Sequence, residues 1–184
     1  MSKSLHGCIA EICGKDIENI EQKAAISKVA GWANRFVSGT SKKGLYLFGQ
    51  SFFGKTTCLT ALKMASLFFA NMRIIECNTL YYEVQAKGRS IDDVLNYDFI
   101  AFDDFGAEPL TLFGQPFMQS IILSHYSKKK PFIITSNLPP FEVDGKNLIV
   151  ENYGNRVFNR LVTDCDFVRF GEAGEVKTII PTIL

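Results

Sequence analysis

The stretch Gly44-Leu45-Tyr46-Leu47-Phe48-Gly49-Gln50-Ser51-Phe52-Phe53-Gly54-Lys55-Thr56-Thr57 constrains this chain more than any other. Leu45 to Phe48 form a short continuous apolar run, which suits a strand covered on both faces. The pattern G-x-x-x-x-G-K-T follows from Gly49 to Thr56, and Cys58 to Ala65 then reads as a helix. Strand, glycine loop and helix, in that order, are the context a phosphate-binding P-loop requires. Gly49 and Gly54 open backbone angles closed to other residues, so successive N–H groups can turn inward around an anion. The helix start near Lys55 adds free N–H groups and a positive dipole end. The motif predicts a nucleoside triphosphate site formed by Gly49, Ser51, Phe52, Phe53, Gly54, Lys55, Thr56 and Thr57. Lys55 is expected at the β- and γ-phosphates and the Thr56 hydroxyl on Mg²⁺.

A length of 184 residues allows one domain with a substantial core. A hydrophobic content of 47% excludes disorder as the main state, and a net charge of +1 supplies no global basic field for nucleic acid. DNA contact therefore has to be a local patch. No apolar stretch is long enough to span a bilayer, and Met1 to Cys8 lack the apolar core of a signal peptide. Cysteines at 8, 13, 58, 77 and 165 are odd in number and scattered, which fits reduced thiols in a cytoplasmic protein better than disulfides or zinc.

Apolar residues recur at helical spacing from Gln22 to Val37, ahead of the P-loop strand. After a P-loop helix over roughly 55–71, Arg73 to Cys77, Phe99 to Phe102, Phe132 to Thr135 and Phe167 to Phe170 read as strands, with a further edge strand over 175–180. Helices are expected over 79–86, over 91–95 with Ser90 as cap, from Pro116 to Tyr126, and from Tyr153 to Leu161. Alternating strands and helices predict an α/β sandwich around a mainly parallel sheet with nucleotide at its carboxyl edge.

Three further pieces bear on chemistry. The apolar strand ending in Asp103-Asp104 places carboxylates at a strand tip, Asp103 suited to Mg²⁺ and Asp104 to polarising a water. Thr135-Ser136-Asn137 ends the next strand and offers an uncharged amide for the γ-phosphate. Arg156 and Arg160 stand one turn apart, and phosphoryl transfer gains from a guanidinium that a neighbouring subunit often supplies.

The series Gly49–Thr56, Phe99–Gly106, Thr135–Asn137 and Tyr153–Leu161 resembles the AAA+ ATPases of the DnaC/DnaI/IstB group, bacterial helicase loaders and transposition helpers. Asp103-Asp104-Phe105-Gly106-Ala107-Glu108 is similar to the DDxGAE form of DnaI-type loaders, and the likeness runs from about residue 24 to 170. It implies a P-loop AAA+ three-layer sandwich with a five-stranded sheet and no or a minimal helical lid. Residues 24–184 are then the ATPase core and 1–23 an N-terminal extension, in place of the group's amino-terminal helicase-binding domain.

The resemblance also implies ATP and Mg²⁺ as cofactors and an ATPase activity in DNA replication. Lys55 and Thr56 take the Walker A roles, Asp103 the metal and Asp104 the catalytic carboxylate. Asn137 becomes sensor 1, and Arg160, with Arg156 beside it, becomes the finger in trans. Implied partners are a replicative helicase, single-stranded DNA and further copies of the chain assembled on ATP. Residues offered for DNA are Arg73, Lys87, Arg89 and Lys128 to Lys130, with Tyr81 and Tyr82 for stacking. Two other readings stay open: an ATP-switched binding module with negligible turnover, such as an IstB-like transposition helper, and a small P-loop kinase.

Overall fold

The computed structural model describes residues 4–13, 20–65, 69–88, 90, 92, 96–97, 99–109, 111, 114–127 and 131–171. Two helices, α1 (Leu5–Cys13) and α2 (Ile20–Val37), precede β1 (Gly44–Gly49) and α3 (Lys55–Ala65). Then come β2 (Arg73–Glu76), α4 (Cys77–Lys87), β3 (Ile100–Phe105), α5 (Gly114–Ser127), β4 (Phe132–Ser136), α6 (Leu148–Asp164) and β5 (Cys165–Phe170). The strands form one sheet in the order β2-β3-β4-β1-β5, and every pairing is parallel.

Side-chain alternation along the strands builds the three layers. Leu45 and Leu47 of β1 point into a core with Ala25, Val29 and Trp32 of α2 and Leu59 and Leu62 of α3. Tyr46 and Phe48 point the other way, toward Phe117 and Ile121 of α5 and Tyr153 and Val157 of α6. Burial on both faces explains why β1, β3 and β4 appear as unbroken apolar runs rather than alternating ones.

The helix after β1 and the helix after β4 lie on opposite faces. The crevice between those two strands is therefore the switch point at which a ligand is received beyond the carboxyl ends.

Several boundaries differ from the sequence reading. Leu5, Cys8 and Ile9 of α1 join the α2/α3 core, so a segment with weak local signals is held by tertiary packing. Helix α6 starts at Leu148 rather than Tyr153, because the Asn147 side chain accepts from the Ile149 and Val150 N–H groups at 3.1 Å each. It breaks at Gly154, whose φ of 77° and ψ of 165° are not helical, so α6 is two half-helices. A Cβ there would meet only Gln119 Nε2 at 3.8 Å, and glycine is needed for the angle rather than the space.

The 91–95 helix, apart from Asp92, and the 175–180 strand lie outside the described residues, as does any lid after residue 171. Ser90 Oγ does accept from the Asp92 N–H at 3.2 Å. His125 is buried against the Phe102 and Phe132 rings.

Candidate functional site

The loop between β1 and α3 is shaped by its two glycines. Gly49 has φ 135°, and a Cβ on it would stand 1.7 Å from the Phe170 carbonyl oxygen of β5, so only glycine lets the strands pair there. Gly54 has φ 90° with nothing within 4 Å of a Cβ, so its backbone borders open space. Phe52 takes φ 68°, a left-handed value that is strained for a bulky residue, and its side chain is fully exposed. Phe53 turns inward onto the core, while its carbonyl accepts from Gln22 Nε2 at 3.2 Å. Gln22 thereby ties the loop to the first turn of α2, a contact between positions 31 residues apart that no local pattern announces.

Lys55 is buried, and its ammonium donates to the carbonyls of Gly49 at 2.8 Å and Gln50 at 2.7 Å and to Asn137 Oδ1 at 2.9 Å. Asn137 Nδ2 in turn donates to Ser51 Oγ at 3.3 Å. The amide ending β4 is thus fixed against the lysine of the loop.

Thr56 Oγ1 donates to Asp103 Oδ1 at 3.1 Å, and the Thr135 hydroxyl donates to the same oxygen. Thr135 Oγ1 also accepts from the Asp104 N–H at 2.9 Å, so one hydroxyl orients both members of the acidic pair. The sequence reading named this strand end but gave Thr135 no role. Asp104 adopts φ 54° where the β3/β4 register shifts between Phe102 and Phe105, and this irregularity turns it out of the ladder. Asp tolerates that backbone conformation better than most residues do.

Electrostatics follow from this crowding. Burial pushes the Lys55 ammonium below the ordinary lysine range, opposed by the attraction of Asp104 and Asp103. Burial also pushes Asp104 above the ordinary aspartate range, helped by Asp103 and opposed by Lys55. A carboxyl whose folded-state pKa lies above its unfolded-state value binds more protons when folded, so it costs the fold stability as pH rises through that interval. Asp104→Asn, which keeps the left-handed backbone acceptable, is therefore expected to raise the melting temperature near pH 7. The gain should vanish on acidification below the ordinary aspartate range. Thermal melts of both proteins across pH check this.

An oxygen-only pair, Thr56 hydroxyl and Asp103 carboxylate, suits a hard cation such as Mg²⁺. Among the described residues no group of three or more His, Cys, Asp and Glu is placed to hold a metal by itself. A cation held here would draw most of its ligands from a phosphate and water. The open space at Gly54 and the buried ammonium beside it fit the phosphates themselves. A pocket of about 570 Å³ opens beside the loop, lined among others by Gly49, Gln50, Ser51, Asn137 and Arg169.

The fold thus brings Gly49, Ser51, Gly54, Lys55, Thr56, Asp103, Asp104 and Asn137 together at the carboxyl edge. Thr57 is half-buried in the first turn of α3. Arg156 and Arg160 sit apart, on the second half of α6. Arg156 is exposed. Arg160 donates to the Tyr126 hydroxyl at 2.9 Å, with its guanidinium 4.1 Å from that ring's centre, toward the amino end of the sheet.

Of the residues offered for DNA, Tyr82 and Lys87 are exposed, and exposed Arg73 lies 5.6 Å from the Tyr97 ring. Tyr81 is a correction. α4 starts directly after β2, which turns Cys77, Leu80 and Tyr81 into the core, so Tyr81 offers no face for stacking. Arg89 and residues 128–130 lie outside the described set. Cys8, Cys58, Cys77 and Cys165 are buried and form no disulfide; burial pushes the Cys58 thiol up to about 12. No described helix is long and apolar enough to cross a membrane.

No protein-family model and no curated protein matches the sequence. Solved structures do. A structure of the DnaC helicase loader superposes with TM-score 0.66 at 19% identity, over 86% of this chain and 94% of that one. A DnaI structure gives 0.65 at 21% identity, over 87% and 90%. The fold is a DnaC/DnaI-like AAA+ fold. The AMPPCP-bound DnaA of Aquifex aeolicus shares it more distantly, with TM-score 0.60 at 17% identity over 84% of this chain and 48% of that chain. At these identities the likeness establishes architecture, and chemistry has to come from the side chains of the site described above.

Proposed function

We propose that this chain is an ATP-hydrolysing AAA+ protein of helicase-loader type acting in DNA replication. The observation that carries the reading is the convergence of Lys55, Thr56, Asp103, Asp104 and Asn137 on one loop whose glycine geometry excludes a side chain. Residues 49–57 bind the phosphates, and Lys55 places its charge on the outer ones. Thr56 and Asp103 hold Mg²⁺, which when bound neutralises charge on the phosphate oxygens. Asp104, partly buried and set off the strand by its backbone, orients the attacking water. Asn137 contacts the γ-phosphate without adding charge. Residues 24–184 are the ATPase core, and 1–23 an extension whose helix packs on it.

Arg156 and Arg160 complete the site of an adjacent copy in an ATP-dependent assembly. The exposure of Arg156 supports an equal claim for it, since Arg160 has to release Tyr126 before reaching outward. The DnaC and DnaI likeness supports a replicative helicase and single-stranded DNA as partners, with Tyr82, Lys87 and Arg73 as candidate contacts. The short Asp104 carboxylate favours the second reading, an ATP-switched module with slow turnover.

Mixing variants tests the proposal. Lys55→Ala subunits cannot bind ATP but carry both arginines; Arg156→Ala/Arg160→Ala subunits bind ATP but lack them. Neither alone should turn over ATP above about 1% of wild type, and mixing them should restore activity at least about tenfold. Full activity of the double arginine variant alone refutes the shared site. Nucleotide-dependent assembly with background turnover in the wild type selects the switch.

A further inference from the structure

The described chain holds one buried acid that the proposed site does not use. Glu108 is 2% exposed and lies just past the acidic strand tip. Its Oε2 accepts from the Gly106 N–H at 3.0 Å, and its Oε1 accepts from the Tyr153 hydroxyl. Tyr153 is 1% exposed and packs its ring 4.4 Å, centre to centre, from the Phe105 ring. Burying a carboxylate costs several kcal/mol unless its partners are well placed, so such a group is commonly kept for specificity rather than net stability.

What Glu108 joins is informative. On one side Phe105 and Gly106 continue directly from Asp103 and Asp104. Their position is fixed because Ser136 Oγ donates to the Phe105 carbonyl at 2.6 Å and a Cβ on Gly106 would strike Leu138 Cδ1 at 2.7 Å. On the other side Tyr153 is the last residue before the non-helical Gly154, and the half-helix beyond that joint carries Arg156 and Arg160. Asn147 caps the first half-helix, so Tyr153 is held at both ends and the bend falls at one residue. Among the described residues the Glu108–Tyr153 bond ties the acidic tip to α6, and it is set at the pivot.

We propose that Glu108, through the Tyr153 hydroxyl, is a positioning residue that sets the angle at which the arginine-bearing half of α6 leaves the acidic strand tip, so that each subunit presents its arginines to a neighbouring copy only when its own tip is in place. This rests on the reading of Arg156 and Arg160 as groups that complete an adjacent site. Glu108 acts through the helix and touches no nucleotide.

The mixing experiment separates the two ideas. Tyr153→Phe keeps the ring and its packing on Phe105 and removes only the hydroxyl. In the subunit that donates arginines (with Lys55→Ala) it is expected to lower complementation at least tenfold. In the subunit that binds ATP (with Arg156→Ala/Arg160→Ala) it should leave complementation within threefold, as a merely structural role would not. Adding Glu108→Gln to the same donor should cause no further loss, because both changes break one link. A melting curve of each donor, with Glu108→Gln alone as the second variant should Tyr153→Phe unfold, confirms that folded proteins are compared. If complementation works with the unaltered donor and survives Tyr153→Phe and Glu108→Gln, the positioning role is wrong; if the unaltered pair fails to complement, the shared-site reading itself has failed.

Discussion

Lys55→Ala is expected to lower Mg·ATP-dependent turnover by about 10²–10³-fold while leaving the melting temperature nearly unchanged. The large effect follows from where the ammonium sits. Loop and strand tip aim three oxygens at it within 2.9 Å, in a buried position where charge interactions are stronger than in water. The small stability effect follows from the sign of its pKa shift. A lysine whose folded-state pKa is depressed is a cost to the fold at neutral pH, relieved only as pH rises through that folded value. Removing it discards three hydrogen bonds and this penalty together. Steady-state turnover and a thermal melt on the same preparation check both halves; a drop in stability with turnover retained would place Lys55 in the core's architecture instead.

The second large effect is structural. Gly49→Ala puts a methyl group 1.7 Å from the Phe170 carbonyl oxygen and 2.8 Å from its carbon, both backbone atoms of β5, so no side-chain rotation relieves the clash. Gly49 pairs with Phe170 at the carboxyl end of the β1/β5 ladder, and the strands have to separate there. The φ of 135° adds strain of its own. The expected loss is about 3–5 kcal/mol, on the order of 10 °C in melting temperature for a chain of this size. Because β1 leads into the phosphate loop, nucleotide affinity should fall with it. A urea midpoint indistinguishable from wild type would show that β5 does not close on β1 as described.

The parts legible in the sequence were those whose cause is local. β1, β3 and β4 are apolar runs because each is covered on both faces, and the loop glycines mark angles that other residues avoid. The acidic pair lies at the carboxyl end of β3 and Asn137 directly after β4, so their meeting at one edge was implied by a parallel sheet. What was hidden depends on contacts between distant positions. Helix α1 is nine residues long; Ser4 caps it by accepting the Gly7 N–H at 3.1 Å, and the rest of its order comes from packing on α2 and α3. The first half of α6 opens on Leu148-Ile149-Val150, a run with strand-like composition, although Asn147 stood ready as its cap. Tyr81 was misjudged because nothing in its neighbours tells which face of α4 meets the sheet. Thr135, Gln22 and Glu108 gain their roles from partners 31 to 45 residues away along the chain or across the β3/β4 bulge. Glu108 stood within the acidic motif, and its burial was the missing signal.

The most direct measurement is an equilibrium titration of ATP into the purified protein, with and without Mg²⁺. One nucleotide per chain is expected, with affinity weakened at least about tenfold when Mg²⁺ is withheld or when Asp103 is changed to Asn. No binding of Mg·ATP, or binding indifferent to Mg²⁺ and to Lys55, would contradict the proposed site at its centre.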